Sequence, residues 1–166
     1  MKVYLKNKLI SIGGDSVVKN EAGDVIFKVD GKAFSITKKK YIYDAAGNKL
    51  YRIRNKYWRW LTHRAFIDDA SGDRIATVKS NKYGLRGRVE VEDYPDEIRV
   101  DSKPFSLERT IYRNGELMGK STSSFAQLAD NFMIEADEKD IPFLVALYVA
   151  IDNILDLKSK EIDRSL

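Results

Sequence analysis

Along most of this chain apolar and polar residues alternate, and near its end the alternation stops. Three stretches resemble one another: VVKNEAGDVIFKV (17–29), YIYDAAGNKLYRI (41–53) and AFIDDASGDRIATV (65–78). Their glycines, Gly23, Gly47 and Gly72, are spaced 24 and 25 residues apart. Asn20, Asp44 and Asp69 each stand three positions before the glycine, and Asp24, Asn48 and Asp73 follow it. Asx side chains cap local turns and glycine takes positive φ without steric cost, so each stretch reads as a hairpin. Flanking alternation, as in Val25, Phe27 and Val29, predicts half-buried strands. Asp30-Gly31 and Asn114-Gly115 sit between strand-like runs and read as two-residue hairpin turns. Further strands are expected at 85–92, 97–101, 104–113 and 132–136. A spacing of 24–25 residues also suits a solenoid, but three imperfect copies without a persistent consensus favour a hairpin meander. About a dozen strands in succession favour closure into a barrel over an open sheet.

The exception is IPFLVALYVAIDNIL (141–155), apolar without interruption from Phe143 to Ile151. A bilayer span needs about 20 mostly apolar residues, and Asp152, Asn153 and Asp156 would put polar groups into hydrocarbon. A helix is expected instead, with Asp140 as N-cap and Pro142 in the first turn, where its missing donor is not needed. Asp137 and Glu138 before it and Lys158 and Lys160 after it favour the helix dipole. A helix that is hydrophobic all round is buried all round. Fifteen residues rising ~1.5 Å each span roughly 23 Å, the height of a strand of about seven residues. Twelve strands ~4.8 Å apart and tilted ~40° enclose a cylinder roughly 24 Å across, wide enough for a helix about 10 Å in diameter. The run is expected to plug a closed barrel. The fold class is therefore mainly β, in one domain over 1–166.

Composition changes this picture in two places. The chain contains no cysteine, which excludes disulfides, thiolate catalysis and zinc–thiolate sites. Lysines at 2, 6 and 8 break any apolar run at the N-terminus, so no secretory signal is expected and a cytoplasmic location is. The net charge of +4 is unevenly spread: residues 38–64 hold nine basic groups against Asp44 alone. That segment carries more than the whole excess and is the compositional hint about partners.

Some of these stretches also resemble a known family. NEAGDVIFKV, DAAGNKLYRI, IRNKYWRWLTHRAFID and above all the ending NFMIEADEKDIPFLVALYVAIDNI are similar to LURP-one-related proteins, over about Tyr4 to Leu157. The resemblance implies the tubby C-terminal-like fold: twelve strands closed around a central C-terminal helix. It brings no catalytic signature, and the molecular role of the family is poorly defined.

Enzymatic chemistry finds little support among the residues. His63, the one histidine, lies among Arg59, Trp60 and Arg64 with no acidic neighbour in sequence to orient it, so a surface or strand histidine is expected. Ser121–Ser124 lack a nucleophile elbow and are expected to form a polar loop. Phosphate-loop and dinucleotide fingerprints are absent. DDASGD (68–73) lacks EF-hand spacing and its closing glutamate, and its kinship with two other turns argues for a backbone role. No metal, cofactor or catalytic residue is expected.

The basic segment carries the binding hypothesis. Residues 52–64 interleave Arg52, Arg54, Lys56, Arg59 and Arg64 with Tyr57, Trp58 and Trp60. Cations beside amphipathic rings suit an anionic membrane surface, or nucleic acid through phosphate contact and stacking. A second basic stretch, KSNKYGLRGR (79–88), only weakly echoes a nucleotide-clamping GxxG loop. The plainer account is a strand whose tryptophans face the core and whose arginines solvate the outside. Tubby-type barrels bind phosphoinositide headgroups through exterior basic residues, an analogy of fold alone. The expectation is a non-enzymatic binding or scaffold domain, peripheral at anionic phospholipid membranes through Arg52, Arg54, Lys56, Trp58, Arg59, Trp60 and Arg64. Nucleic-acid binding by the same face, or a protein partner, is the alternative.

Overall fold

The computed structural model describes residues 1–6, 16–31, 38–56, 63–80, 89–102, 108–124 and 131–163, with the side chains of 6, 123, 124, 131 and 155–163 outside the description. Its strands are β1 (Lys2–Lys6), β2 (Ser16–Asn20), β3 (Val25–Gly31), β4 (Lys40–Asp44), β5 (Lys49–Asn55) and β6 (His63–Asp68), then β7 (Arg74–Ser80), β8 (Val89–Glu92), β9 (Ile98–Ser102), β10 (Arg109–Arg113), β11 (Glu116–Ser124) and β12 (Asn131–Ala136). Each pairs antiparallel with the next, and β12 returns to β1 with Val3 opposite Ile134, so the meander closes on itself. A 3-10 turn over Glu138–Asp140 leads into the helix α1 (Ile141–Asp163).

The three repeated turns share one backbone. In each, the Asx N–H donates to the carbonyl of the residue after the glycine: Asn20 N–H to Asp24 O (3.0 Å), Asp44 N–H to Asn48 O (3.0 Å) and Asp69 N–H to Asp73 O (2.8 Å). The Asx oxygen then accepts a second N–H, from Asp24 (2.9 Å), Asn48 (2.8 Å) and Asp73 (3.0 Å) respectively. The glycines have φ of 90°, 89° and 101°. Each hairpin also carries a register shift beside its turn, at Val18/Lys19, Ile42/Tyr43 and Ile67/Asp68. Asn114 and Gly115 both take positive φ, the two-residue turn expected of that dipeptide.

Two local expectations are corrected. Asp30 and Gly31 do not turn the chain. They continue β3, pairing with Tyr41 and Lys40, and the connection follows them. A turn dipeptide yields here to ladder pairing that extends the wall. Ser121–Ser124 are not a loop but the end of β11, where Ser121 is buried against the plug. Small residues suit that strand because the helix lies close: a Cβ on Gly119 would stand 2.8 Å from Leu144 Cδ1. The strands expected at 85–92 and 104–113 appear as β8 and β10, and residues 81–88 and 103–107 lie outside the described residues.

The plug is where the apolar run places it. Phe143, Leu144, Leu147, Tyr148 and Ile151 are each 5% exposed or less, and Val145, Ala146, Val149 and Ala150 on the other faces are fully buried. They meet inward residues of the wall such as Leu5, Val18, Ile42, Ile53, Ile67 and Ile134. Burial of each large aliphatic side chain contributes about 1.5–3 kcal/mol. The helical backbone runs on to Asp163, beyond the fifteen residues expected. Asp140, expected as the N-cap, ends the 3-10 turn that runs into the helix, and its carboxylate accepts Arg113 Nη2 at 2.5 Å. At the far end Lys40 Nζ meets Asp152 Oδ2 at 3.4 Å, and Asn153 Nδ2 donates to Lys38 O at 3.2 Å. The plug is thus tied at both ends.

Three measurements check this architecture. Leu147→Asp should cost about 4 kcal/mol or more and unfold the domain, since a lone carboxylate would sit in a sealed core; a folded variant with unchanged melting temperature would contradict the plug. Gly47→Val should lower stability by about 1–2 kcal/mol or more, because a β-branched residue resists that left-handed φ; ligand binding should not change. Burial holds Tyr148 neutral well above the ordinary tyrosine value of 10.0, and burial likewise raises Tyr51 and Tyr94. The unfolded chain ionises these phenols near 10.0, so the stabilisation is complete below that pH and is lost as pH rises through the folded values. Denaturant midpoints measured from pH 8 to 12 should fall above pH 10, with tyrosinate absorbance lagging behind that of the unfolded protein.

Candidate functional site

Strand alternation sorts the basic segment into two faces. On β5, Ile53 and Asn55 point into the barrel, and on β6, His63, Ala65 and Ile67 do so. Arg52 and Arg54 therefore stand on the outer face, as do Arg64, Phe66 and Asp68 opposite them. The pairing register sets Arg52 across from Asp68 and Arg54 across from Phe66. β7 adds Lys79, across from Arg64, and begins with Arg74, across from Asp68.

The centre of this face is a carboxylate shared by arginines. Asp68 Oδ2 accepts Arg52 Nε (3.0 Å), Arg52 Nη2 (2.9 Å) and Arg54 Nε (2.9 Å), while Arg74 Nε lies 4.0 Å from Oδ1. Asp68 is covered to 1% exposure although it faces outward. The Phe66 ring forms the floor, with the Arg74 guanidinium 3.7 Å and that of Arg54 4.9 Å from its centroid. Three guanidinium charges on one carboxylate leave an excess of two. Arg54 engages only its Nε in hydrogen bonding among the described residues, so its two η-amino groups keep donors for an oxygen-rich anion. The face is bordered by the stacked Tyr41 and Tyr43 on β4 and by Glu90 and Glu92 on β8, where Glu92 pairs with Lys79.

The predicted site residues divide. Arg52 and Arg54 are bound to Asp68. Lys56 is exposed just past β5, and its backbone N–H donates to Arg64 O at 3.0 Å, which puts Lys56 and Arg64 side by side at one rim of the barrel. Trp58, Arg59 and Trp60, with Tyr57, lie outside the described residues. The sequence reading missed Asp68, Phe66 and Arg74. By sequence alone Asp68 groups with Asp69 in a turn, and only the register shows that it lies opposite Arg52. His63 faces the lumen, 4% exposed and across from Ser80. Asp69 accepts the turn N–H groups of Gly72 and Asp73, and no group of three or more His, Asp or Glu among the described residues is arranged to hold a metal ion. No helix among them is long and apolar enough to cross a membrane.

Comparison with known proteins agrees with this architecture. Among curated proteins nothing matches the sequence. An X-ray structure of a protein from Arabidopsis thaliana superposes with a TM-score of 0.60 over 92% of this chain and 91% of that one, at 17% identity. That likeness is one of fold. The family model described as LURP-one-related matches residues 1–152, all twelve strands of the barrel and most of the buried part of its plug. The chain belongs to the LURP-one-related family.

Proposed function

We propose that this is a non-enzymatic binding domain whose basic outer face on β5–β7 meets anionic phospholipid headgroups. The observation that supports this reading is the collection of Arg52, Arg54, Lys56, Arg64 and Arg74 on one face against a single outward carboxylate, Asp68. Charges of one sign on one surface add, and they attract polyanions in a salt-dependent way. Near an anionic bilayer each such cation contributes about 1 kcal/mol, so a few acting together give weak, reversible recruitment. The roles within the face differ. Arg52 and Arg54 spend part of their hydrogen-bonding capacity on Asp68 and stabilise the wall, while Lys56 at the rim is open to a headgroup. The barrel interior, filled by the plug, leaves the outside for recognition.

Co-sedimentation with vesicles tests this. The protein should bind vesicles containing anionic lipid, ignore neutral ones and release as salt rises. Lys56→Gln should weaken binding by about 1 kcal/mol, roughly fivefold, with little change in melting temperature. Arg54→Gln should instead lower stability by about 1–3 kcal/mol, because it strips a charge-assisted bond from the covered Asp68. Equal affinity for neutral vesicles, or tight binding to short single-stranded DNA with none to vesicles, would discard the phospholipid reading in favour of apolar adsorption or of nucleic acid respectively.

A further inference from the structure

Most residues of the wall that meet the plug are aliphatic, as Leu5, Ile42, Ile53 and Ile67 are. Ser121 on β11 breaks that pattern. It is 3% exposed, and among the described residues its Oγ has no hydrogen-bond partner. The pairing register puts Arg109 of β10 on one side of it and Ile134 of β12 on the other. Arg109 stands two residues before the buried Ile111, so it too faces the lumen. Its guanidinium lies 5.8 Å from the centroid of the Tyr148 ring on the plug. Among the described residues no carboxylate pairs with that guanidinium.

Arg109, Ser121 and Tyr148 line one cavity between wall and plug, of about 10 Å³, whose other walls are aliphatic side chains such as Ile111 and Leu147. Its origin lies in where the helix runs. The backbone of the plug comes nearest to β5, β6, β7 and β12, so β10 and β11 stand farther off. Two residues before Ser121 the gap is closed, since a Cβ on Gly119 would already touch Leu144. At Ser121 the small side chain leaves it open. Protein interiors are otherwise packed nearly without voids, and a void bordered by a cation and an unpaired hydroxyl calls for an occupant.

Every polar group at this cavity can donate. A guanidinium has N–H groups and no acceptor, and a serine offers its O–H. Burial holds Tyr148 in its neutral form, so the phenol keeps a proton to give. A water molecule there would bring two protons of its own to walls that are otherwise carbon, and would leave the charge of Arg109 uncompensated. A cation would be repelled. An anion accepts from all three groups and offsets the charge, and hydrogen bonds to an ion are the strong ones. The volume admits one atom-sized guest, not a phosphate or a carboxylate group. We infer that Arg109, Ser121 and Tyr148 hold a single monatomic anion of the size of chloride between β10–β11 and the plug. The ion joins two strands to the helix through one shared acceptor, on a side where the helix backbone stands away from the wall. The site is separate from the outer face on β5–β7 and does not rest on the lipid reading.

Denaturant midpoints of the full chain, measured in sodium chloride and in sodium gluconate at equal ionic strength, test this, because gluconate is too large for the cavity. Chloride should raise the midpoint, and the rise should follow the logarithmic dependence of a ligand that binds the native state at one site. Arg109→Gln should abolish the increment and Ser121→Ala should shrink it several-fold. Lys28→Gln, which removes an exposed charge on β3, should keep it, showing that screening of surface charge is not its source. Equal midpoints of the parent in the two salts overturn the proposal. So does an increment that survives undiminished in Ser121→Ala, or a Ser121→Ala protein as stable as the parent in chloride, since a hydroxyl that holds no ion is removed without loss. Should Arg109→Gln fail to fold, Ser121→Ala, which adds no volume to the core, still decides.

Discussion

The all-round apolar surface of α1 is the constraint from which the rest of this molecule follows. A helix with no polar face through its first three turns cannot rest on the outside of a sheet, since half of it would stay in water. Only an enclosure removes every face at once, and the wall supplies it by joining β12 to β1. Closure in turn abolishes both sheet edges, so the twelve strands need no edge protection. The two halves depend on each other. Without the helix the barrel would be hollow, and without the barrel the helix would be insoluble.

Placing the plug at one depth needs polar contacts, because apolar packing alone tolerates sliding. The ties occur at the two rims, Arg113 with Asp140 where the helix enters and Lys40 with Asp152 and Asn153 with the Lys38 carbonyl where it leaves. Each is a buried or half-buried polar group that would lose its partner if the helix shifted by a turn. Paired ions in such places are not large net stabilisers, but they make wrong registers costly. Between the ends the plug meets the wall mainly through apolar side chains, with Arg109 also reaching over the Tyr148 ring at 5.8 Å, so axial position is decided chiefly at the ends.

Strand alternation then frees the outer surface from any duty in the core. Ile53 between Arg52 and Arg54, and Ile67 before Asp68, show how one strand serves both sides. The outer charges are organised by a single carboxylate, Asp68, which binds Arg52 and Arg54 and leaves an excess of positive charge on the face. Such a fixed positive surface would need little reorganisation to meet an anion, consistent with the binding role proposed above.

Much of this was legible in the residues themselves. Asx–glycine spacing marked the three repeated turns because glycine and a side-chain oxygen are local requirements of that backbone, and the uninterrupted run from Phe143 to Ile151 marked the plug because burial on all sides needs apolar residues on all sides. Even the charge excess of residues 38–64 was a local fact. Long-range pairing was not. Nothing near Asp68 distinguishes it from Asp69, yet one binds arginines and the other closes a turn, and the difference lies in which strand stands opposite. Asp30-Gly31 carries a turn signal that ladder pairing overrides, and Ser121–Ser124 look like a loop until the plug passes close enough to require small residues. Local chemistry thus determined the elements and the enclosure, while register and closure decided which charges meet, because those contacts join residues that only the folded chain brings together.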